Sequence, residues 1–229
     1  ILEAVSMLSP GRGLRRAAPE DLARRQAGLG WKVSAELAPS AHELSTSAAP
    51  AAPREVTIDG KAVAQLRLAQ MLRQVWLTPS MDRLWIEAPE GRRRFLDRLT
   101  LSLFPAHAES VVIYERAMRD RNRLLKEAIR DPAWYGALEL QMAEAGAAMT
   151  ATRGAALDKV ARAQAEAATV FPAASLTLVD SGPADLAAAL AEGRARDMAA
   201  GRTLEGPHRA DLGAIYASKA VPAAQASTG

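Results

Sequence analysis

Apolar positions recur every three or four residues at the start of the chain, at Ile1, Leu2, Val5 and Leu8. That is the spacing of one helix face, and Pro10-Gly11 ends it. The period then changes to two: Trp31-Lys32-Val33-Ser34-Ala35-Glu36-Leu37 alternates apolar and polar, which predicts a half-buried strand. The Ser-, Ala- and Pro-rich stretch 45–53 reads as a loop, and residues 54–58 as a second short strand closed by the turn Asp59-Gly60. Residues 61–73 read as a helix, and Val75-Trp76-Leu77 as a short buried strand opening into a loop at Thr78-Pro79.

From residue 91 to 168 the pattern turns helical, with little Gly or Pro and abundant Ala, Arg, Glu and Leu. It predicts helices over 95–103, 108–130 and 132–168. Asp131-Pro132 marks a corner, because proline is tolerated in a first helical turn and not deeper in. Two long antiparallel helices then form an arm. Residues 175–179 read as a strand, 184–198 as a helix and 202–216 as strand and loop.

Composition narrows the field. A chain of 229 residues forms one large domain or two small ones. It is 49% hydrophobic but only 4% aromatic, so its core is built mainly of Ala, Leu and Val. The net charge of +3 suits nucleic acid without requiring it. The absence of cysteine excludes disulfides, thiol catalysis and zinc–thiolate sites. Three scattered histidines, His42, His107 and His208, make no metal site; His42 and His107 read as structural. No apolar run is long enough to span a bilayer and no secretory leader is visible, so the expectation is a cytoplasmic protein without membrane contact.

The arrangement of the basic residues says more than their sum. Arg116, Arg119, Arg123, Lys126 and Arg130 recur at spacings of three and four, which aligns them on one helix face. Val111, Tyr114, Met118, Leu125 and Ile129 form an apolar stripe beside them, with Asp120 and Glu127 displaced to another side. Such a face suits phosphate-backbone binding, and the lack of interleaved aromatics favours duplex contacts over base stacking. A solvated charged face that touches nothing is the alternative, as is a grip on an acidic protein partner.

Four short motifs carry candidate chemistry. Ser9-Pro10-Gly11-Arg12-Gly13-Leu14-Arg15 presents arginines on a turn. Pro79-Ser80-Met81-Asp82-Arg83-Leu84 runs on to Pro89-Glu90-Gly91-Arg92-Arg93-Arg94-Phe95-Leu96-Asp97. There Arg92 and Arg93 open a helix whose Phe95, Leu96 and Leu99 face inward, and salt bridges to Glu87 or Glu90 are the simplest use for the two arginines. Gly206-Pro207-His208-Arg209-Ala210-Asp211-Leu212 holds a histidine behind a rigid turn, and Ala226-Ser227-Thr228-Gly229 ends the chain. A Gly-rich phosphate loop with its Lys and Ser/Thr is absent.

In this order the motifs resemble the RecF family, SMC-like relatives of the ABC ATPases. Ser80 and Met81 depart from the family pattern, which often has acidic residues directly after the first proline. The resemblance implies an α/β fold, α+β within these residues: part of an ABC/SMC-type ATPase head with an inserted helical arm. Residues 1–98 would belong to the head after its P-loop, 99–200 to the arm, and 201–229 to the returning head. Ser227, Thr228 and Gly229 would begin the signature motif that contacts ATP across a dimer. Arg12, Arg15, Gln74 and His208 would lie near the nucleotide, Gln74 within about a residue of the magnesium-sensing glutamine. Pro79, Asp82, Pro89, Arg92, Arg93, Phe95, Asp97, Gly206, Pro207, Arg209 and Asp211 match family motif positions. ATP and Mg2+ are the implied cofactors, and the implied partners are DNA, RecO, RecR, RecA and a second copy of the chain. The family is a weak DNA-dependent ATPase; these residues, lacking the P-loop, are expected to be inactive and to be an internal piece of a longer protein. A helical interaction module or another SMC-type ATPase remains the alternative.

Overall fold

The alternating stretch at residues 31–37 becomes β1 (Trp31–Leu37), which pairs antiparallel with β2 (His42–Ala48) over its whole length, Trp31 opposite Ala48 and Leu37 opposite His42. The computed structural model describes residues 1–24, 28–179 and 182–226. They divide into two compact units, Ile1–Trp76 and Leu77–Gly229.

In the first unit, α1 (Leu2–Ser6) and α2 (Pro19–Leu22) precede a four-stranded antiparallel sheet in the order β1-β2-β3-β4, with β3 at Glu55–Ile58 and β4 at Lys61–Ala62. Leu8, Leu44, Val56 and Leu68 form its core. Asp59 and Gly60 both take positive φ, the backbone a tight hairpin needs. The Asp59 carboxylate accepts from the Glu43 amide at 2.9 Å and pairs with His42 at 2.7 Å, which accounts for that histidine.

Three sequence expectations fail in this unit. Residues 45–48 are strand rather than loop: β2 lies between β1 and β3, and that central place buries Ser45 and Thr46, whose polarity suggests a surface turn. Residues 61–73 are not one helix but β4, a 3₁₀ turn at Gln65–Arg67 and one turn of helix, α3 (Leu68–Met71), because hairpin pairing captures the first two residues. Residues 75–77 form no strand, and Val75 and Leu77 stand exposed.

The second unit holds the helices: α4 (Pro89–Leu103), α5 (His107–Lys126) and α6 (Pro132–Glu166). Pro89 and Pro132 each stand in a first turn, and Asp131 caps α6 by accepting from the Ala133 and Trp134 amides. His107 faces Thr152 and Arg121 faces Glu139, so α5 and α6 run antiparallel as expected. Tyr114, Ala117, Met142, Ala145 and Met149 form the seam between them. A three-stranded sheet in the order β5-β6-β7 completes the unit, with β5 at Ala174–Val179, β6 at Asp211–Tyr216 and β7 at Val221–Pro222. The helix expected over 184–198 is two, α7 (Leu186–Glu192) and α8 (Arg194–Ala200), interrupted at Gly193. Among the described residues the unit that begins at Leu77 holds the long helices and the strands β5, β6 and β7 alike. The cause is packing: Leu96 of α4, Leu157 of α6 and Leu212 of β6 share one core cluster.

Candidate functional sites: the motif junction and the basic helix face

The two motifs that lie more than a hundred residues apart in sequence meet in the second unit. Arg92, one turn into α4, grips Asp211 at the start of β6 with Nε at 2.9 and 3.1 Å and a terminal nitrogen at 2.8 Å. Its remaining terminal nitrogen donates to the carbonyls of Leu84 and Glu87, at 3.1 and 2.8 Å. Asp211 is therefore the partner of Arg92; Glu90 pairs with Arg94 instead. Burial is the largest single influence on Asp211 and works against ionisation. The Arg92 hydrogen bonds, the Leu212 amide and the charges of Arg92 and Arg93 together overcome it and hold the carboxyl below its ordinary range.

One turn deeper, Asp97 accepts from Arg153 of α6 at 2.7 and 2.8 Å, and His107 lies between Asp97 (3.2 Å) and Thr152 (2.7 Å). Arg153, almost wholly buried, also donates to the Pro207 carbonyl at 2.7 Å and so ties α6 to the second motif. Asp97 too is held low: desolvation raises it, and the His107 and Arg153 contacts together overcome that.

Gly206 explains why the second motif opens on glycine. Its φ is +129°, and a Cβ there would stand 2.4 Å from the Tyr114 hydroxyl. That hydroxyl lies 2.8 Å from His208 Nδ1. Burial, with the positive charges of Arg209 and Arg93 nearby, pushes the His208 imidazole down to about 4, against which the Thr203 backbone bond and Asp197 are the weaker opposing influences. At neutral pH His208 is thus an uncharged imidazole held by a buried phenol. It is a hydrogen-bonding group fixed by Tyr114.

A second buried network has no counterpart among the sequence motifs. Arg121, wholly buried in α5, donates to Glu139 at 3.2 Å, Asp197 at 2.7 Å, Thr203 at 2.9 Å and the Leu190 carbonyl at 2.9 Å. Arg194 shares the Glu139 carboxylate, and Asn122 accepts from the Thr203 amide at 2.7 Å. A signal for it exists: Arg121 stands at helical spacing from Tyr114, Ala117, Leu124 and Leu125, in the apolar stripe rather than the basic one.

The basic face itself is present. Arg116, Arg119, Arg123 and Lys126 are exposed along α5, while Arg130 lies beyond the end of the helix, on the corner before α6. Acidic residues are not all displaced from that face: Arg119 pairs with Glu115 and Arg123 with Asp120, each at 3.5 Å. Both pairs are solvent-exposed and within one turn, so they yield readily to a stronger anion.

In the first unit Arg12 is exposed, and Arg15 has its Nε 2.9 Å from Glu3. Gln74 donates to the Val5 carbonyl at 3.1 Å, while its Oε1 is enclosed without a partner. An amide oxygen is a hard donor of the kind magnesium takes, and the described residues hold no cluster of metal-ligating side chains. Pro79 opens a 3₁₀ turn, Pro79–Arg83, behind Thr78, and Asp82 lies in it. Phe95 packs beside Leu96, and Arg93 and Arg209 reach the surroundings of His208 without an ion pair among the described residues. Ser227, Thr228 and Gly229 lie outside the described residues. No helix among the described residues is long and apolar enough to cross a membrane.

Two solved structures of the recombination mediator protein RecF of the RecFOR pathway share this fold. The chain superposes on RecF-ATP with a TM-score of 0.83 at 19% identity, covering 99% of this chain and 65% of that one. On RecF-ATPrS the TM-score is 0.80 at 18% identity, over 93% and 63% respectively. The fold is therefore the mixed helix-and-sheet fold of those structures. No protein-family model matches the chain. In sequence it is 45% identical, over its whole length, to the DNA replication and repair protein RecF of Rhizobium etli and to that of Rhizobium rhizogenes. To the protein of the same name in Brucella suis biovar 1 it is 42% identical. The chain belongs to the RecF family. It spans 66% of the length of its Rhizobium relatives.

Proposed function

We propose that the protein of which these residues form part is an ATP-dependent DNA-binding protein of recombinational and replication-gap repair. In this reading it dimerises on ATP to clamp DNA, turns ATP over weakly, and works in the cytoplasm with RecO and RecR to load RecA. The carrying observation is the identity of 45% along the whole chain to proteins named for DNA replication and repair. The junction of Arg92 with Asp211 supports it, since it joins the two motifs on which the resemblance rests. ATP and Mg2+ are the proposed cofactors, with Arg12, Arg15 and Gln74 on the nucleotide side and Ser227, Thr228 and Gly229 reaching it from the opposite copy. Catalysis needs a phosphate-loop lysine, and these 229 residues contain no such loop. The long helices α5 and α6 serve as the arm, and the exposed face of α5 meets the DNA backbone.

The test is the full-length protein carrying Arg119→Ala, Arg123→Ala and Lys126→Ala together, titrated against gapped and duplex DNA at several salt concentrations. The expected result is weaker binding to all sequences alike, because phosphates carry no sequence information. The slope of log affinity on log salt should fall by about 0.9 for each duplex phosphate that the variant no longer neutralises. ATP affinity stays unchanged. Unaltered affinity and slope retire the DNA role of this face, and loss of a protein partner with DNA binding intact favours an interaction module.

A further inference from the structure

Arg54 lies just before β3, and its guanidinium closes on three carbonyls of another segment. One terminal nitrogen donates to Met7 and, at 3.1 Å, to Ser9; the other donates to Gly11 at 2.5 Å; Nε donates to the Thr46 hydroxyl of β2 at 2.7 Å. The Met7 carbonyl caps the end of α1, where helix geometry leaves oxygens without intrahelical partners, and those of Ser9 and Gly11 lie in the loop beyond. A planar guanidinium matches all three at once. Among the described residues Arg54 has no carboxylate partner, so its charge is met by peptide and hydroxyl oxygens alone. Two further contacts fix the same turn. Ser6 accepts from the Leu14 amide at 2.7 Å, and Glu3 accepts from the Arg15 amide at 3.2 and 3.3 Å and from its side chain at 2.9 Å. Gly13, at φ +70°, passes so close that a Cβ would stand 2.6 Å from the Met7 sulfur. Within this braced turn the exposed Arg12 side chain makes no hydrogen bond or ion pair among the described residues.

We propose that Arg54 is a positioning residue: it locks the turn after α1 to the sheet, and so holds the backbone from which Arg12 extends its guanidinium to phosphate oxygens. The ligand chemistry is a phosphate, supplied either by ATP or by the DNA backbone, and the inference rests on the reading of Arg12 given above. Two of the four anchors, Ser9 and Gly11, flank Arg12 by at most three residues, so the backbone that carries it has little freedom. A lysine at position 54 offers one nitrogen in place of the three that Arg54 uses, and therefore restores only part of the constraint.

The experiment uses the full-length protein with Arg12→Ala, Arg54→Met, Arg54→Lys and the double variant Arg12→Ala/Arg54→Met. Affinity is measured separately for a fluorescent ATP analogue and for gapped duplex DNA, alongside thermal melting. The expected result is that Arg12→Ala and Arg54→Met each weaken the same one of the two ligands by about tenfold, the effect of removing one charge-assisted hydrogen bond. Arg54→Lys should fall between Arg54→Met and wild type, and the double variant should bind no worse than the weaker single. That non-additivity separates positioning from mere stabilisation, whose cost would lower the melting temperature while its effect on binding simply added to that of Arg12→Ala. Loss of ATP affinity identifies the nucleotide as the source of the phosphate, and loss of DNA affinity identifies the backbone. Normal binding by Arg54→Met while Arg12→Ala is impaired overturns the positioning role and leaves the reading of Arg12 standing. Normal binding of both ligands by Arg12→Ala overturns that reading and the inference with it. Should Arg54→Met not fold, wild-type binding by Arg54→Lys overturns the proposal and partial loss upholds it.

Discussion

His208 shows how a residue's environment sets its protonation. Imidazole beside a Gly-Pro turn reads as a phosphate donor, yet burial against Tyr114 brings it from an ordinary value of 6.5 to about 4. The sign follows from linkage: below 6.5 the unfolded chain takes up a proton that the folded chain refuses until about 4. The stability it contributes is whole above 6.5 and is lost as pH falls toward 4. Asp97 and Asp211, held below their ordinary 3.8, lose theirs only at lower pH, so the two windows are distinct. Urea midpoints of wild type and His208→Gln across the upper window should converge as pH falls; parallel curves would deny His208 the effect. Arg121 makes the complementary point, as one arginine in a chain of surface arginines that carries an internal network. Arg121→Met leaves Glu139 and Asp197 buried with less compensation and should cost about 3–5 kcal/mol in chemical denaturation. Arg116→Met, on the exposed face of the same helix, should fall within about 0.5 kcal/mol of wild type.

At the scale of elements, ends and turns are more legible than middles. The start of α6 is set by Asp131-Pro132, and Asp131→Ala, which removes two capping hydrogen bonds, should lower stability by about 1 kcal/mol, measured by urea unfolding. The hairpin at Asp59-Gly60 and the strand β1 are equally plain, because turn backbone and period-two alternation are local properties. Residues 45–48 resemble a loop because their small polar side chains are common in loops; their strand state depends on β1 and β3 on either side. The same dependence defeats the helix over 61–73, whose first residues are captured by a hairpin, and the strand expected over 75–77 does not form.

For the molecule as a whole, the decisive contact is long-range. A double-mutant cycle on Arg92→Met and Asp211→Asn should show a coupling of about 1–3 kcal/mol, since the pair is bidentate and mostly shielded from solvent. Independent effects of the two changes would mean that the motifs stand side by side without mutual support. As an activity, these 229 residues alone should turn over no ATP above background with or without gapped DNA, because they contain no phosphate loop. Steady phosphate release that survives further purification would refute this.

The sequence by itself determined the long helix pair α5 and α6, the strands β1, β3 and β5, the corner at Asp131-Pro132, the exposed basic face of α5 and the motifs that carry the family resemblance. Each of these is written in spacing or in residues adjacent along the chain. Only the tertiary structure decided what the polar residues of those motifs do. Arg92 could as well have paired with Glu87 or Glu90 nearby, and its choice of Asp211 depends on α4 lying beside β6. Arg54, Arg121 and Arg153 draw their partners from segments far along the chain, and no local pattern encodes which carbonyl or carboxylate a long side chain will reach once the backbone has folded around it.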